Sequence, residues 1–323
     1  MAEPSNAPAA PGGFRSGFVA IIGRPNVGKS TLLNRILGSK VAIVSPHPQT
    51  TRTHLSGIAH LAPGPDSPGG QIVFVDTPGV HAGRGLLSRE LLRHVRAGLE
   101  GRDLALLVAD VSRGFGREDQ MALDLLRPSG PEPVPPAFLA LNKIDLLPDK
   151  RRLLELIEAW RQRFEFDEIF PLSARRGEGV AALVQALLAR LPPGPEYFPA
   201  GQLTDQSRRF LASEIIREAA LRRVRAEVPH ALAVQVEEFE AQPRLFRVAA
   251  VIFCERESQR PILLGRHGEG IRAIGVEARR ELETLLGRKV FLGLHVLVRE
   301  AWREDRRFLA ELDWRREGGP GGG

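Results

Sequence analysis

The stretch Gly23-Arg24-Pro25-Asn26-Val27-Gly28-Lys29-Ser30 fits G-x-x-x-x-G-K-[ST], the pattern of a phosphate-binding P-loop. An apolar run of strand length precedes it at residues 17–22, and residues 31–37 follow with apolar side chains at helical spacing. A strand, a glycine loop and a helix place backbone N–H groups and the positive end of the helix against a phosphate chain. The pattern therefore predicts that Lys29 reaches the β- and γ-phosphates of a nucleotide and that the Ser30 hydroxyl holds Mg²⁺.

Length, composition and charge limit the classes of protein to which the chain can belong. At 323 residues it is long enough for two domains, each with its own core. With 43% hydrophobic residues and no apolar run of membrane-spanning length, we expect a cytoplasmic protein. The net charge of +6 permits a nucleic-acid partner. The single cysteine, Cys254, excludes an internal disulfide, and its apolar neighbours predict a buried structural thiol.

A second motif follows an apolar strand downstream of the P-loop. Residues 71–75 are predicted to form this strand, which ends in Asp76-Thr77-Pro78-Gly79. A carboxylate that ends such a strand and faces a P-loop predicts a Mg²⁺ site in which Asp76 acts with Ser30. The Gly79 N–H is then expected to meet the γ-phosphate.

The next motifs predict which base is bound. Strand 137–141 leads into Asn142-Lys143-Ile144-Asp145, where the Asp145 carboxylate can accept hydrogen bonds from guanine N1–H and from the exocyclic amine. Adenine offers neither donor at that place, so Asp145 is predicted to select GTP over ATP. Ser173-Ala174-Arg175 would lay backbone N–H groups against guanine O6. The predicted GTP site comprises Gly23, Arg24, Pro25, Asn26, Val27, Gly28, Lys29, Ser30, Thr31, Asp76, Thr77, Pro78, Gly79, Asn142, Lys143, Asp145, Ser173, Ala174 and Arg175.

The order of the elements predicts an α/β fold, a P-loop GTPase doubly wound sheet followed by a second, smaller α+β domain. Strands alternate with helices through residues 17–192, which we assign to the first domain. A proline-rich turn opens a linker over residues 193–205, and the second domain covers residues 206–316. Residues 1–16 and 317–323 are predicted to be disordered tails.

The second domain carries a glycine loop of its own. Gly265-Arg266-His267-Gly268 fits G-x-x-G, with which KH domains clamp an RNA backbone near a helix N-terminus, although a plain glycine turn fits these four residues equally well. The surrounding order is more restrictive and fits the type II KH topology. It comprises a helix at 206–225, strands at 231–239 and 245–253, a helix at 277–286 and a strand at 289–298. The predicted RNA contacts are Leu264, Gly265, Arg266, His267, Gly268, Ile271, Arg272, Arg279 and Arg280.

These motifs, in this order, resemble those of one family. G-R-P-N-V-G-K-S-T-L-L-N at 23–34, Q-T-T-R at 49–52 and D-T-P-G at 76–79 are similar to the Era family of GTPases, and the likeness continues through T-D-Q-S-R-R-F-L-A-S-E at 204–214. The resemblance covers residues 17–316. It implies a monomeric bacterial GTPase that binds the 3′ end of 16S rRNA through its KH domain and acts in assembly of the 30S ribosomal subunit. It also implies that Thr51, with Thr50 as the neighbouring candidate, completes the Mg²⁺ shell.

The predicted reaction is hydrolysis of GTP to GDP and phosphate by in-line attack of water. The candidate catalytic residues are Lys29, Thr51, Gly79 and Asn26. Ras-like enzymes place a water-orienting glutamine directly after the D-x-x-G glycine, where this chain has Val80, so we expect slow intrinsic turnover.

Two further expectations concern the cation and the switch. Related GTPases hold K⁺ at the position of Asn26, which makes K⁺ a second candidate cofactor beside Mg²⁺. The γ-phosphate is expected to order residues 46–53 and 76–85, and hydrolysis to release them.

Two other functions stay open at this point. One is a nucleotide-gated RNA-binding chaperone in which turnover only times release. The other is a signalling GTPase without an RNA partner, peripheral on the inner face of the cell membrane. Trp302, Leu309 and Leu312 lie on one helical face, which predicts docking onto the core or, as the alternative, a helix that lies on a membrane surface.

Overall fold

The computed structural model describes residues 13–43, 55–64, 68–77, 79–80, 95, 98–99, 101–127, 135–224 and 228–312. These residues divide into two compact units, with the main boundary between Asp205 and Gln206. Residues 1–12 of the first predicted tail, residues 313–316 of the predicted second domain, the whole predicted tail 317–323 and most of the proposed switch loops lie outside the described residues.

A six-stranded sheet in the order β2-β3-β1-β4-β5-β6 forms the first unit. β2 runs antiparallel to β3, and the other neighbours pair in parallel. The strands are β1 Arg15–Ile22, β2 Leu55–Leu61, β3 Gly70–Asp76, β4 Leu104–Asp110, β5 Ala137–Asn142 and β6 Glu168–Leu172. The described helices are α1 Lys29–Leu37, α2 Arg117–Leu125, α3 Arg152–Arg161 and α4 Val180–Arg190. The doubly wound α/β prediction is confirmed, although β1 begins two residues before the predicted domain start.

The central strands place the site. β3, β4 and β5 are buried along their whole length, as expected for parallel strands covered on both faces. Their last residues are polar: Asp76, Asp110 and Asn142. In the sheet register Asp76 pairs with Ile21, and Asp110 pairs with Asn142. Three polar side chains therefore meet at the edge of the sheet where β1 leads into the P-loop.

Residues 193–205, predicted to be a linker, lie along the first sheet. The side-chain amide of Gln71 donates to Phe198 O at 2.8 Å. Farther along, the Thr204 hydroxyl donates to Ser56 O at 2.6 Å. This segment therefore extends the first unit instead of running free between domains.

A three-stranded sheet in the order β7-β8-β9 forms the second unit, with β7 antiparallel and β9 parallel to β8. The strands are β7 Ala233–Ala241, β8 Leu245–Cys254 and β9 Lys289–Val298. The helices are α5 Arg208–Leu221, α6 Arg260–Leu264, α7 Glu269–Leu286 and α8 Arg306–Glu311. The predicted order of helix, two strands, helix and strand is present, and α6 is an additional short helix before the glycine loop.

Helix α7 begins at Glu269 and not at residue 277 as predicted. Ile274, Ala278 and Leu282 are buried at intervals of four residues, so a single helical face covers the core along the whole helix. Cys254 is buried in the same core, which confirms the structural thiol, and burial raises the pKa of this thiol.

The C-terminal segment covers one part of the sheet of the second unit. Trp302 and Phe308 are fully buried and pack against Phe253 of β8, with Leu309 and Leu312 partly buried beside them. Docking onto the core is therefore confirmed. Among the residues that the structure describes, no helix is both long and apolar enough to cross a membrane.

Candidate functional site

The P-loop encloses the first residue of α1. Lys29 is only 6% exposed, and its Nζ donates to Gly23 O at 3.0 Å and to Arg24 O at 3.2 Å. Burial lowers the pKa of Lys29 to about 8, although the nearby Asp76 carboxylate acts in the opposite direction. An ammonium group held by carbonyl oxygens at a helix N-terminus can exchange these partners for phosphate oxygens.

The backbone of the loop leaves no space for larger residues. Gly28 has φ of +102°, and a Cβ at this position would lie 2.3 Å from Asn142 Nδ2. Asn26, the proposed K⁺ ligand, is exposed and has a left-handed φ of 64°. A non-glycine residue in this conformation carries strain, which functional loops commonly contain.

Ser30 and Asp76 lie together, as the Mg²⁺ prediction requires. The Ser30 hydroxyl donates to Asp76 Oδ2 at 3.1 Å, and Asp76 has no exposed surface. Two oxygen donors this close suit a hard cation such as Mg²⁺. Thr77 has a different role, because its hydroxyl donates to Ile21 O at 2.8 Å and ties β3 to β1. The remaining predicted residues of this region, Thr51 and Pro78, lie outside the described residues.

Val80 is part of the core of the first unit. Its side chain is fully buried, and its N–H donates to Gly23 O at 3.0 Å. This bond brings Gly79 against the P-loop, where a Cβ at Gly79 would lie 2.9 Å from Pro25 Cα. Gly79 is therefore beside the P-loop as predicted, and Val80 supplies no polar side chain to the site.

Asn142 joins three loops. Its Nδ2 donates to Val27 O at 2.7 Å, and its Oδ1 accepts the N–H groups of Lys143 at 2.8 Å and Ala174 at 2.9 Å. The Ala174 N–H, expected to face guanine O6, thus donates to Asn142 in this structure. The side chain is 2% exposed, so these bonds form away from water and hold the loops firmly.

The residues that are predicted to read the base also contact one another. The Ser173 hydroxyl donates to Asp145 Oδ1 at 2.7 Å, which fixes the orientation of the carboxylate. Arg35 of α1, which the motifs do not indicate, supports the same loop because its Nε donates to Ala174 O at 3.1 Å. A rigid carboxylate is the condition for steep discrimination between bases.

Asp110 is a site residue that the motifs do not reveal. Lys143, which has a left-handed φ of 69°, donates through Nζ to Asn26 O and to Asp110 Oδ2, both at 2.7 Å. Burial raises the pKa of Asp110, but hydrogen bonds from Lys143 and Ser112 outweigh burial and hold this pKa below its usual value. The sequence contains one signal that could have predicted Asp110 as a site residue: it ends an apolar strand, as Asp76 does.

A groove of about 530 Å³ lies beside the G-x-x-G loop in the second unit. The structure brings five of the predicted RNA contacts to its lining: His267, Gly268, Ile271, Arg272 and Arg279. Its other wall is β9, where Phe291 is 59% exposed. Phe291 was not predicted, because a lone aromatic residue in a strand pattern indicates a core position as readily as an exposed one.

The remaining predicted RNA contacts do not line this groove and lie at different places in the second unit. Leu264 and Ile271 line a neighbouring groove of about 500 Å³, as expected for an apolar floor. Arg266 is exposed in the loop itself. Arg280 does not line either of these grooves and lies beside Glu277 and Glu281, so its contact with an RNA phosphate stays a prediction. Arg272 lines both the G-x-x-G groove and the pocket that contains Arg280.

Comparison with known proteins identifies both units. A family model described as 50S ribosome-binding GTPase matches residues 18–143, and the KH domain model matches residues 227–303. The fold and the sites thus define a P-loop GTPase joined to a KH domain. The chain is 46% identical to GTPase Era of Geobacter metallireducens, over 93% of this chain and 98% of that protein. It is 44% identical to GTPase Era of Stenotrophomonas maltophilia, over 91% of this chain and 95% of that protein. The chain belongs to the Era family of GTPases.

Solved structures give the same relationship. A crystal structure of Era in complex with MgGDPNP and nucleotides 1506–1542 of 16S ribosomal RNA matches with a TM-score of 0.86 and 35% identity, over 93% of this chain and 99% of that chain. A variant of Aquifex aeolicus Era bound to GDP·AlF₄⁻ matches with a TM-score of 0.87 and 35% identity, over 93% and 99% of the two chains.

Proposed function

We propose that this GTPase binds GTP with Mg²⁺ at the P-loop site, binds the 3′ end of 16S rRNA in the groove beside the G-x-x-G loop, and acts in assembly of the 30S subunit. The observation that carries the RNA part is the lining of this groove, in which Arg272, Arg279 and His267 accompany the exposed Phe291. Cationic side chains along a groove bind phosphates, and exposed aromatic rings stack with bases. The Era relative that was solved with MgGDPNP and 16S rRNA supports both ligands.

At the nucleotide, the chain supplies charge and position. Lys29 brings a positive charge to the β- and γ-phosphates, and the loop N–H groups and that of Gly79 donate to phosphate oxygens. Ser30 and Asp76, with Thr51, would hold Mg²⁺. When bound, Mg²⁺ neutralises charge on the β- and γ-phosphate oxygens.

Turnover without a partner is expected to be slow, because Val80 cannot orient water. The amide side chain of the exposed Asn26 is proposed to help hold K⁺ near the phosphates. The test is the GTPase rate in matched KCl and NaCl buffers, with and without 30S subunits. A faster rate in KCl supports the proposal, and equal rates in both salts reject it.

The RNA proposal is tested with the full chain and a labelled oligonucleotide of the 16S rRNA 3′ end. We expect at least about tenfold tighter binding than to a scrambled sequence of the same length. Equal binding to the two sequences would reject specific recognition of the 16S rRNA 3′ end. If the protein binds neither sequence, the alternative of a signalling GTPase without an RNA partner is favoured. RNA affinity is also to be compared between GDP and a non-hydrolysable GTP analogue, and equal values would reject nucleotide gating.

The cytoplasm is the proposed location. A helix on a membrane surface would need to expose Trp302, which is buried and whose Nε1 donates to Ala231 O at 2.9 Å. Co-sedimentation with anionic vesicles provides the test, and binding that survives physiological salt would restore a peripheral membrane role.

A further inference from the structure

The second residue of the P-loop is tied to the helix that follows β4. Arg24 Nη1 lies 3.2 Å from Asp119 Oδ2 of α2, and the two side chains are only 13% and 4% exposed. The same carboxylate oxygen accepts the N–H of Gly116 at 2.9 Å, at the start of α2. One carboxylate thus caps a helix and holds the P-loop.

A second tie reaches the loop from the other end of the same segment. Asp110, at the end of β4, binds Lys143, and Lys143 in turn donates to Asn26 O. Residues 110–119 therefore carry two carboxylates that fix the P-loop, at Arg24 through a side chain and at Asn26 through a carbonyl. The tie at Asp119 has no counterpart in the phosphate-binding or base-reading motifs.

The Arg24–Asp119 pair is buried, unlike the ion pair at the C-terminal end of α2. Asp124 of α2 and Arg127, which lies just after this helix, are 3.5 Å apart, but both side chains are 53% exposed. Exposed pairs contribute little because water screens them, whereas removal of one partner of a buried pair leaves an uncompensated charge. Movement of Arg24 has a direct consequence, since its carbonyl accepts a hydrogen bond from Lys29.

We propose that Asp119 is a positioning residue for nucleotide binding, which acts by holding Arg24 so that the P-loop keeps the geometry that receives the phosphates. Asp119 acts through Arg24 and does not touch the nucleotide. Its loss changes how tightly GDP and GTP are held more than the rate of the chemical step.

The test compares Asp119→Asn with Asp124→Asn in the full chain. Asparagine at 119 can still accept the Gly116 N–H through Oδ1, so the helix cap remains and only the charge for Arg24 is lost. We expect about tenfold faster GDP release and a similar rise in the KM for GTP, with kcat at saturating GTP changed less than twofold. Asp124→Asn should match the unaltered protein. Equal GDP release from the two variants overturns the proposal.

A double-mutant cycle separates positioning from general destabilisation. If Asp119 acts through Arg24, the double variant Arg24→Gln/Asp119→Asn should release GDP no faster than the worse single variant. Multiplying effects would overturn the proposal. Arg24→Lys keeps the charge and should recover most of the affinity that Arg24→Gln loses. If Asp119→Asn does not fold, the comparison of Arg24→Lys with Arg24→Gln tests the proposal instead. Equal GDP affinity of these two variants overturns it.

Discussion

The nucleotide site and the G-x-x-G groove are built in opposite ways. At the nucleotide site three of the predicted acting groups are buried, with Lys29 6%, Asn142 2% and Asp76 0% exposed. Along the groove, Arg272 is exposed and Phe291 is 59% exposed. Buried groups are held in one geometry by their hydrogen bonds and favour one ligand steeply. Exposed groups adapt to a flexible chain, and each adds a modest, salt-dependent share.

The largest effect is expected from a substitution in the nucleotide site, the more rigid of the two sites. Asp145→Asn removes one of the two acceptors for guanine, so GTP affinity should fall about a thousandfold. Xanthosine triphosphate should gain affinity, since its 2-carbonyl can accept from the new amide. Competition against a fluorescent guanine nucleotide measures both affinities, with Asp124→Asn, at a side chain that is 53% exposed, as control. Unchanged GTP affinity would refute base reading by Asp145.

The next change addresses the groove. Gly268→Asp places a negative charge where an RNA phosphate is expected, so RNA affinity should fall about thirtyfold while the basal GTPase rate stays unchanged. Gly287→Asp is the matched control, because Gly268 and Gly287 have φ of +78° and +65° and open space for a side chain, at opposite ends of α7. Equal losses in the two variants would mean that strain or charge on α7, and not the groove, explains the effect.

The dependence of GDP affinity on pH tests the consequence of burying Lys29 in the nucleotide site. The Lys29 pKa is lowered to about 8, so in the nucleotide-free protein this lysine loses its proton as pH rises through that value. Phosphate binding favours the charged form, so GDP affinity should be full below about pH 7, about half at pH 8 and about tenfold lower at pH 9. Titration calorimetry measures this change, and RNA affinity of the same protein is the control. A GDP affinity that is constant from pH 7 to 9 would contradict this role of Lys29.

The smallest effect tests the exposed aromatic. Phe291→Ala should weaken RNA binding about fivefold without changing its salt dependence, because stacking involves no counterion release. Arg272→Gln should instead reduce the slope of log affinity against log salt by about one. Leu154→Ala, which truncates a side chain 75% exposed in the first unit, is the control for Phe291→Ala. RNA affinity unaffected by Phe291→Ala would remove base stacking from the groove.

Local pattern was sufficient wherever one segment contains its own signal. The P-loop, the aspartate that ends β3 and the motif after β5 each follow an apolar strand, and the structure places Lys29, Asp76 and Asn142 together as predicted. The sequence pattern could also have predicted the early start of α7, because Ile271, Ile274 and Ala278 repeat at helical spacing.

The residues that hold these motifs in place became visible only in the tertiary structure. Asp110, Asp119 and Arg35 belong to segments that are distant along the chain from the loops they support, and no spacing rule links a carboxylate after β4 to an arginine in the P-loop. The exposure of Phe291 and the separation of Arg280 from the groove likewise depend on how β9 and α7 pack.

The sequence by itself therefore determined the ligand class of each loop, because a short segment carries the backbone and donor pattern that a phosphate or a base requires. Only the tertiary structure decided how firmly each loop is held, because that depends on which distant side chains are buried against it. For Arg24 this support is Asp119, and for Asn142 it is the meeting of three loops in a place that water does not reach.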